Sequence, residues 1–197
     1  MPGSRANADL GYITWTASLN VFVEATTLEP TDITSESAVL NGEVDWAGDE
    51  VVVQFEARPL GGDYTVVDEQ TYTESGTIQH DFLLEGLSEG STYTYRFRAE
   101  RDNEEEDIGD AISFDTKLLL EGTVDIDGSG VDGAKVYVSL VDPPDDAEVI
   151  KVLTTESDGS FDAEVEPFPD GEYHVAAQHE DGEDQYAGES KPFVGDS

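Results

Sequence analysis

Apolar and polar residues alternate with a period of two along most of the chain, a pattern that predicts short antiparallel strands. The clearest runs are residues 51–58, 92–100, 134–141 and 173–178. Gly, Asp, Asn, Ser and Pro separate the runs at intervals of roughly 8–12 residues, which is typical of β-sandwiches. Hardly any segment has the spacing of an amphipathic helix. The pattern therefore predicts an all-β protein with two tandem β-sandwiches.

The longest alternation lies at the start of the chain, ahead of the first predicted sandwich. Its apolar face consists of Ile13, Trp15, Ala17, Leu19, Val21 and Val23. Two interpretations stay open for residues 1–24. They form a β-arm that pairs with another protein subunit through residues 10–23, or they lengthen or cover their own first sandwich. An apolar edge strand left free would promote aggregation, so we expect this one to be covered.

Five sequence motifs follow one another between residues 25 and 117: 27–35, 37–44, 53–56, 87–96 and 112–116. The most specific is 87–96, Leu-Ser-Glu-Gly-Ser-Thr-Tyr-Thr-Tyr-Arg. In this order they resemble a fibronectin type III domain, which is an immunoglobulin-like sandwich. The resemblance implies that Tyr93 is a corner tyrosine whose hydroxyl group bonds back to the preceding loop. It implies a fold but no activity.

The stretches 120–124, 133–138, 154–161 and 169–177 follow a different order. They resemble the transthyretin-like sandwiches of the carboxypeptidase-regulatory and CnaB types, which implies a second domain over residues 118–197. Some CnaB relatives carry a Lys–Asn isopeptide bond, but residues 185–194 contain no Asn, so this bond is not expected. The linker 115–117 is too short for a flexible tether, and we expect the two domains to abut.

Charge adds the next constraint. Among 197 residues, 46 are acidic and 9 are basic, for a net charge of −37. Such a surface repels phosphate backbones and anionic headgroups, so nucleic acid and membranes are poor partners. The 8 Tyr, 8 Phe and 2 Trp residues argue against an acidic disordered chain. The composition resembles that of haloarchaeal proteins, in which molar salt shortens the Debye length to roughly 3 Å and screens self-repulsion.

The charge is also unevenly distributed. Residues 1–25 carry a net charge of −1, whereas residues 26–117 and 118–197 carry −18 each. In a salt-adapted protein, a nearly neutral segment is a candidate for a surface that does not face solvent. Farther along, the acidic run 104–107 is expected to be a solvated hairpin tip.

Three motif matches lack the structural context that their chemistry needs. Residues 86–90 match G-x-S-x-G, but they lie between two predicted strands instead of a strand and a helix. Residues 128–133 match G-x-G-x-x-G, but a strand follows. Asp125 and Asp127 fit the first half of a calcium loop, although Val136 stands where a bidentate Glu is required. A loose calcium site and a solvated turn both remain open for this loop.

No catalytic group emerges from the remaining residues. The chain has no Cys, and His80, His174 and His179 are not expected to form one site. We therefore predict a protein that is not an enzyme and uses no cofactor. Exposed tyrosines could bind a host-surface glycan, the alternative being that they belong to the core or its rim; the candidates are Tyr64, Tyr72 and Tyr186.

Elimination leaves a structural or interaction protein. The first residues lack the apolar region of a signal peptide. This favours a subunit of a haloarchaeal tailed-virus particle (a head-decoration, turret or tail-surface protein) that is assembled in the cytoplasm. Such a subunit would dock on itself or on a capsid or tail protein through residues 10–23. The alternative is a cell-surface or secreted accessory module for adhesion or carbohydrate binding.

Overall fold

A computed structural model describes residues 22–101, 105–139, 149–167, 173–178 and 185–186. Regular structure in these residues is entirely β-strand, which confirms the predicted all-β class. Among the residues described, no helix of the length and hydrophobicity needed to cross a membrane occurs.

Eight strands build the first sandwich. They are β1 (Phe22–Thr31), β2 (Ser37–Ala47), β3 (Val51–Pro59), β4 (Thr65–Tyr72), β5 (Gly76–Glu85), β6 (Thr92–Arg101), β7 (Glu105–Ile108) and β8 (Ile112–Asp115). One sheet has the order β1-β2-β5, and the other has the order β4-β3-β6, with β7 and β8 pairing in turn with β6. All of these pairs are antiparallel.

The second sandwich follows after two linker residues. Its strands are β9 (Leu118–Thr123), β10 (Asp125–Ile126), β11 (Ser129–Gly130), β12 (Lys135–Ser139), β13 (Val149–Thr154), β14 (Ser160–Val165), β15 (His174–Gln178) and β16 (Gln185–Tyr186). A four-stranded sheet of order β13-β12-β15-β16 faces a two-stranded sheet of β14 and β9, and β10 and β11 form a small hairpin.

Strict alternation explains both cores, because every second side chain of a strand points to the same face. In β2, the side chains alternate between buried and half-buried over all eleven residues. The largest fully buried side chains of the first core are Trp46, Phe55, Tyr95 and Phe97. Within the described residues, the second core is mainly aliphatic; one cluster of its buried side chains consists of Leu118, Leu120, Val138, Ala163, Val165 and Tyr173.

One local expectation was wrong. Within the acidic run 104–107, residues 105–107 belong to strand β7, which pairs with β6, and do not form a hairpin tip. Cross-strand ion pairs offset the repulsion among the acids. Arg101 Nη2 lies 3.2 Å from Glu105 Oε2, and Arg98 Nη2 lies 2.5 Å from Glu106 Oε2.

Candidate docking surface

Of the predicted arm, residues 1–24, the structure describes only the last three. Strand β1 begins at Phe22, and the half-buried Val23 side chain packs against the first core. For Val23, the structure matches the interpretation in which the segment lengthens its own sheet. The remaining arm residues, Ile13, Trp15, Leu19 and Val21, lie outside the described residues.

Tyr93 lies near the start of β6, next to the loop that connects β5 to β6. Its hydroxyl oxygen accepts a hydrogen bond from the Ser88 amide at 3.0 Å, so the bond runs back to the preceding loop. The ring stacks on Phe114 with centroids 5.9 Å apart. This corner positions the loop 86–91, which in turn contacts the second sandwich.

Several hydrogen bonds fasten the two sandwiches together. Thr116 is fully buried; its hydroxyl donates to the Ser88 carbonyl at 2.6 Å and accepts from the Ser91 amide at 2.9 Å. From the second sandwich, Glu164 Oε1 accepts bonds from the amide and hydroxyl groups of Ser35 at 2.8 and 3.0 Å. The bond from the Ser35 amide is the main reason why the pKa of Glu164 lies below its usual value.

Side-chain bonds also close one open side of the first sandwich, between β1 and β7. The Ala25 amide on the edge strand β1 donates to Asp107 Oδ2 at 2.7 Å. On the same side, the Thr27 hydroxyl accepts from the Phe97 amide at 3.0 Å. The two edge strands therefore meet each other and leave little room for a further strand.

The other open side of that sandwich, between β5 and β4, is closed by His80. The ring nitrogens of His80 bond to Asp68 Oδ2 at 2.6 Å and to the Tyr72 hydroxyl at 2.9 Å. The imidazole also stacks on Phe55, with centroids 5.5 Å apart. No sequence pattern predicts this group, because His80 lies on β5 while Asp68 and Tyr72 lie on β4, and only the folded sandwich brings them together. Burial raises the pKa of Tyr72, which is the opposite of what a nucleophilic phenolate requires.

The second sandwich exposes a different kind of edge. Strand β13 is the outermost strand of its sheet, and no described strand pairs with its outer side. Its six residues, Val-Ile-Lys-Val-Leu-Thr, include no acid and no proline. Every other described edge strand of four or more residues contains Asp or Glu, and these strands are β1, β4, β5, β7, β8, β9 and β14.

The outward face of β13, β12 and β15, as far as the structure describes it, is also free of acids. Opposite Val152 on β13 stands Tyr137 on β12, and opposite Tyr137 stands Ala176 on β15. Ile150 and Val152 on this face are 48% and 54% exposed. The outward, partly or fully exposed positions of these three strands (Ile150, Val152 and Thr154; Lys135 and Tyr137; His174, Ala176 and Gln178) hold no carboxylate. We call β13 and this face the β13 surface.

A cavity of about 320 Å³ adjoins the β13 surface beside the junction of the two sandwiches. Its lining residues are Lys117, Ile150, Lys151, Glu164, Val165, Glu166, Pro167 and Tyr173. Lys151 is held in place because its ammonium group donates to the Glu164 carbonyl at 3.0 Å. Each lysine of the lining is matched by a glutamate, so the cavity carries no strong charge of one sign.

The two calcium candidates lie in the β10–β11 hairpin. Asp125 Oδ1 accepts from the Gly128 amide at 3.1 Å, and Asp127 adopts a left-handed turn conformation with φ of 54°. Both aspartates therefore serve an Asp-Gly hairpin turn. Within the described ranges, no three His, Cys, Asp or Glu side chains are grouped as a metal ion would need. The neighbouring Gly130 permits close packing, because a Cβ atom there would lie 1.8 Å from the Asp158 carbonyl oxygen.

Two of the three tyrosines proposed for glycan binding contact other side chains of the protein. Tyr72 packs against the first core and bonds to His80. The guanidinium carbons of Arg58 and Arg96 each lie 4.3 Å from the centre of the Tyr64 ring. The Tyr186 side chain lies outside the described part of the chain. Neither Tyr64 nor Tyr72 therefore presents a free ring for stacking on a sugar.

Comparisons with known proteins give only distant structural similarities. No family model and no curated protein matches the chain. A similar solved structure is the sensor domain of the anti-sigma factor RsgI4 of Pseudobacteroides cellulosolvens, with 15% identity, a TM-score of 0.42, and coverage of 53% of this chain and 99% of that one. Another is BcpA, the major pilin subunit of Bacillus cereus, with 11% identity, a TM-score of 0.26, and coverage of 87% and 64% respectively. Values this low transfer no function.

Proposed function

We propose that the chain is a non-enzymatic structural subunit that works in concentrated salt. In this proposal, the N-terminal segment docks on a protein neighbour while the two acidic sandwiches face the brine. The observation that carries it is the charge distribution. Residues 10–23 contain no charged side chain, whereas the rest of the chain is densely acidic. An uncharged, partly apolar segment in an otherwise acidic chain is best explained by a protein partner that covers it.

The roles of the polar side chains support a structural subunit rather than an enzyme. His80, Asp68 and Tyr72 bridge two sheets, and Glu164 bridges two sandwiches. The cavity beside the junction is lined by Glu164 but not by His80, Asp68 or Tyr72. The hydrogen bonds of these residues instead hold sheets and domains in place.

The strand orders support the finer family assignments. A three-stranded sheet of β1, β2 and β5 that faces β4, β3, β6 and a split last strand is the arrangement expected of a fibronectin type III domain. The Tyr93 corner agrees with that assignment. For the second sandwich we propose a transthyretin-like domain, because its sequence motifs fall on the hairpins and strands of one small sandwich.

For the place of action, we propose the surface of a haloarchaeal tailed-virus particle, as a head-decoration, turret or tail-surface subunit. A docking segment with projecting sandwiches suits repeated attachment to a symmetric particle. The alternative is an adhesion or accessory module on a cell surface or in the medium. The same acidic sandwiches would serve there, since both locations face concentrated salt.

Immunogold electron microscopy of a producing halophilic culture tests this proposal. Antibodies against the chain should label purified particles, and competition with the purified chain should remove the label. Label on cell envelopes alone would replace the virion assignment with the surface-module alternative. Label confined to the cytoplasm would contradict both.

A further inference from the structure

The β13 surface and residues 10–21 share an unusual chemistry. Both lack acidic side chains in a chain of net charge −37. Adding an uncharged strand to this edge covers no carboxylate, whereas adding it to the other described edges of four or more residues would take acidic side chains out of water. None of the described strands pairs with the outer side of β13, so the backbone groups there are available to an added strand.

The geometry of the first sandwich decides which copy can supply that strand. Strand β1 ends near the junction, since Thr31 pairs with Val39 and the Thr34 carbonyl accepts from the Lys117 amide. Phe22, at the start of β1, therefore lies at the opposite end of the sandwich, roughly 30 Å away over ten residues. The docking segment leaves from the end that is far from β13.

Residues 10–21 are too short to return to their own β13. Fully extended, twelve residues reach at most roughly 40 Å, and about 30 Å of that reach would be spent passing back along β1. Few uncharged residues would remain to pair with Val149–Thr154 beyond the junction. A second copy has no such restriction.

We propose that residues 10–21 of one copy add as a strand to β13 of a second copy and join the chains head to tail. This contact rests on the proposed function and names its partner as the chain itself. In the added strand, Ile13, Trp15 and Leu19 continue the apolar face of Ile150 and Val152. Because the two contacting surfaces differ, each copy keeps one free segment and one free edge, so the contact generates a ring or a filament.

Full-length variants that block one half of the contact give the decisive test. Trp15→Asp with Leu19→Asp blocks the segment, and Ile150→Asp with Val152→Asp blocks the edge. The control is Val66→Asp on the edge strand β4, because Val66 is 51% exposed and matches Val152. Light scattering in about 3 M KCl, where screening leaves little long-range repulsion, reports the molar mass over a concentration series.

We expect the molar mass of the wild type and of the Val66→Asp variant to increase with concentration. The two blocked variants should keep the molar mass of a single chain. A one-to-one mixture of the two blocked variants should form a dimer and stop there, since it contains one working segment and one working edge. Thermal melts check that each variant is folded, and Val152→Lys repeats the test with the opposite charge.

Each other result overturns the contact in a distinguishable way. If the Ile150→Asp/Val152→Asp variant assembles like the wild type while the Trp15→Asp/Leu19→Asp variant does not, the segment docks elsewhere and the proposed function stands. If the mixture stays monomeric, the pairing is wrong. If the wild type is monomeric throughout, head-to-tail assembly fails, and immunogold labelling alone decides the proposed function.

A covalent probe gives a second readout, because the natural chain has no cysteine. Chains carrying Leu19→Cys and chains carrying Val152→Cys, mixed under mild oxidation, should form disulfide-linked dimers. Val66→Cys in place of Val152→Cys should reduce their yield at least tenfold. Equal yields from the two mixtures would contradict the proposed contact.

Discussion

The two sandwiches carry the same net charge but treat their edges differently. In the first, Asp107 closes the side between β1 and β7, and His80 closes the side between β5 and β4. In the second, β13 lies at the edge without an acid and without a described neighbour on its outer side. An equal net charge therefore does not close every sheet edge against strand addition. In this chain the closed edges are those at which an individual carboxylate, Asp107 or Asp68, makes a hydrogen bond.

The cores differ as well. The first core forms one cluster with Trp46, Phe55, Tyr95 and Phe97 at its centre. The described core of the second is smaller and has Tyr173 as its only buried aromatic residue. Burial of aromatic rings contributes strongly to stability, so we expect the first sandwich to be the more stable of the two.

The largest expected effect comes from emptying the first core. Phe97→Ala removes a fully buried ring and should lower the free energy of unfolding by about 3–5 kcal/mol. Leu120→Ala in the second core should cost about 2 kcal/mol, because the side chain is smaller and sits at the core margin. Calorimetry in about 3 M KCl measures both, and equal losses would remove the distinction between the cores.

Overfilling the same core should cost less. A Cβ atom on Gly42 would lie 2.4 Å from Cγ of Phe97, closer than real contacts allow. Gly42→Ala should therefore cost about 1–3 kcal/mol, since Phe97 must shift within a packed core. Gly61→Ala is not a suitable control because of its positive φ, so Ser129→Ala on the exposed β11 serves instead. A Gly42→Ala variant as stable as the wild type would show that Phe97 has room to move.

Each sandwich has one tyrosine whose hydroxyl group bonds to the backbone of a preceding segment, so the stability contributions of the two bonds can be compared. Tyr93 accepts a bond from the Ser88 amide, and the Tyr173 hydroxyl donates to the Glu166 carbonyl. Tyr93→Phe and Tyr173→Phe should each cost about 1 kcal/mol, the typical net value of one hydrogen bond. Urea titration measures both losses. No loss at Tyr93 would mean that water replaces the corner bond without penalty.

The smallest effect concerns the junction. The folded pKa of Glu164 is lowered, chiefly by the Ser35 amide, so its contribution to stability is present above the usual pKa of 4.5 and is lost as pH falls through the lowered folded value. Glu164→Gln keeps an acceptor oxygen and should cost about 0.5 kcal/mol at pH 7. Melting curves of both proteins at pH 7 and below pH 4 check this. A gap that widens on acidification would contradict the assigned sign.

Much of the fold could be predicted from the sequence, because alternation is a local property of the backbone. The runs at 51–58 and 92–100 became β3 and β6 with nearly the predicted bounds. The Tyr93 bond to the loop before it follows from a local motif. The acidic run was placed wrongly, because its pairing depends on arginines of β6 rather than on its own composition.

The sequence by itself determined the all-β class, the charge of the surface and the uncharged segment 10–23, since each is a property of neighbouring residues. Only the tertiary structure decided that His80 bridges two sheets, that Glu164 fastens two domains, and that β13 is left at an edge. Those contacts join residues far apart in the chain. Which strand becomes an edge depends on the order of all strands in the sheet, and no local pattern encodes that order.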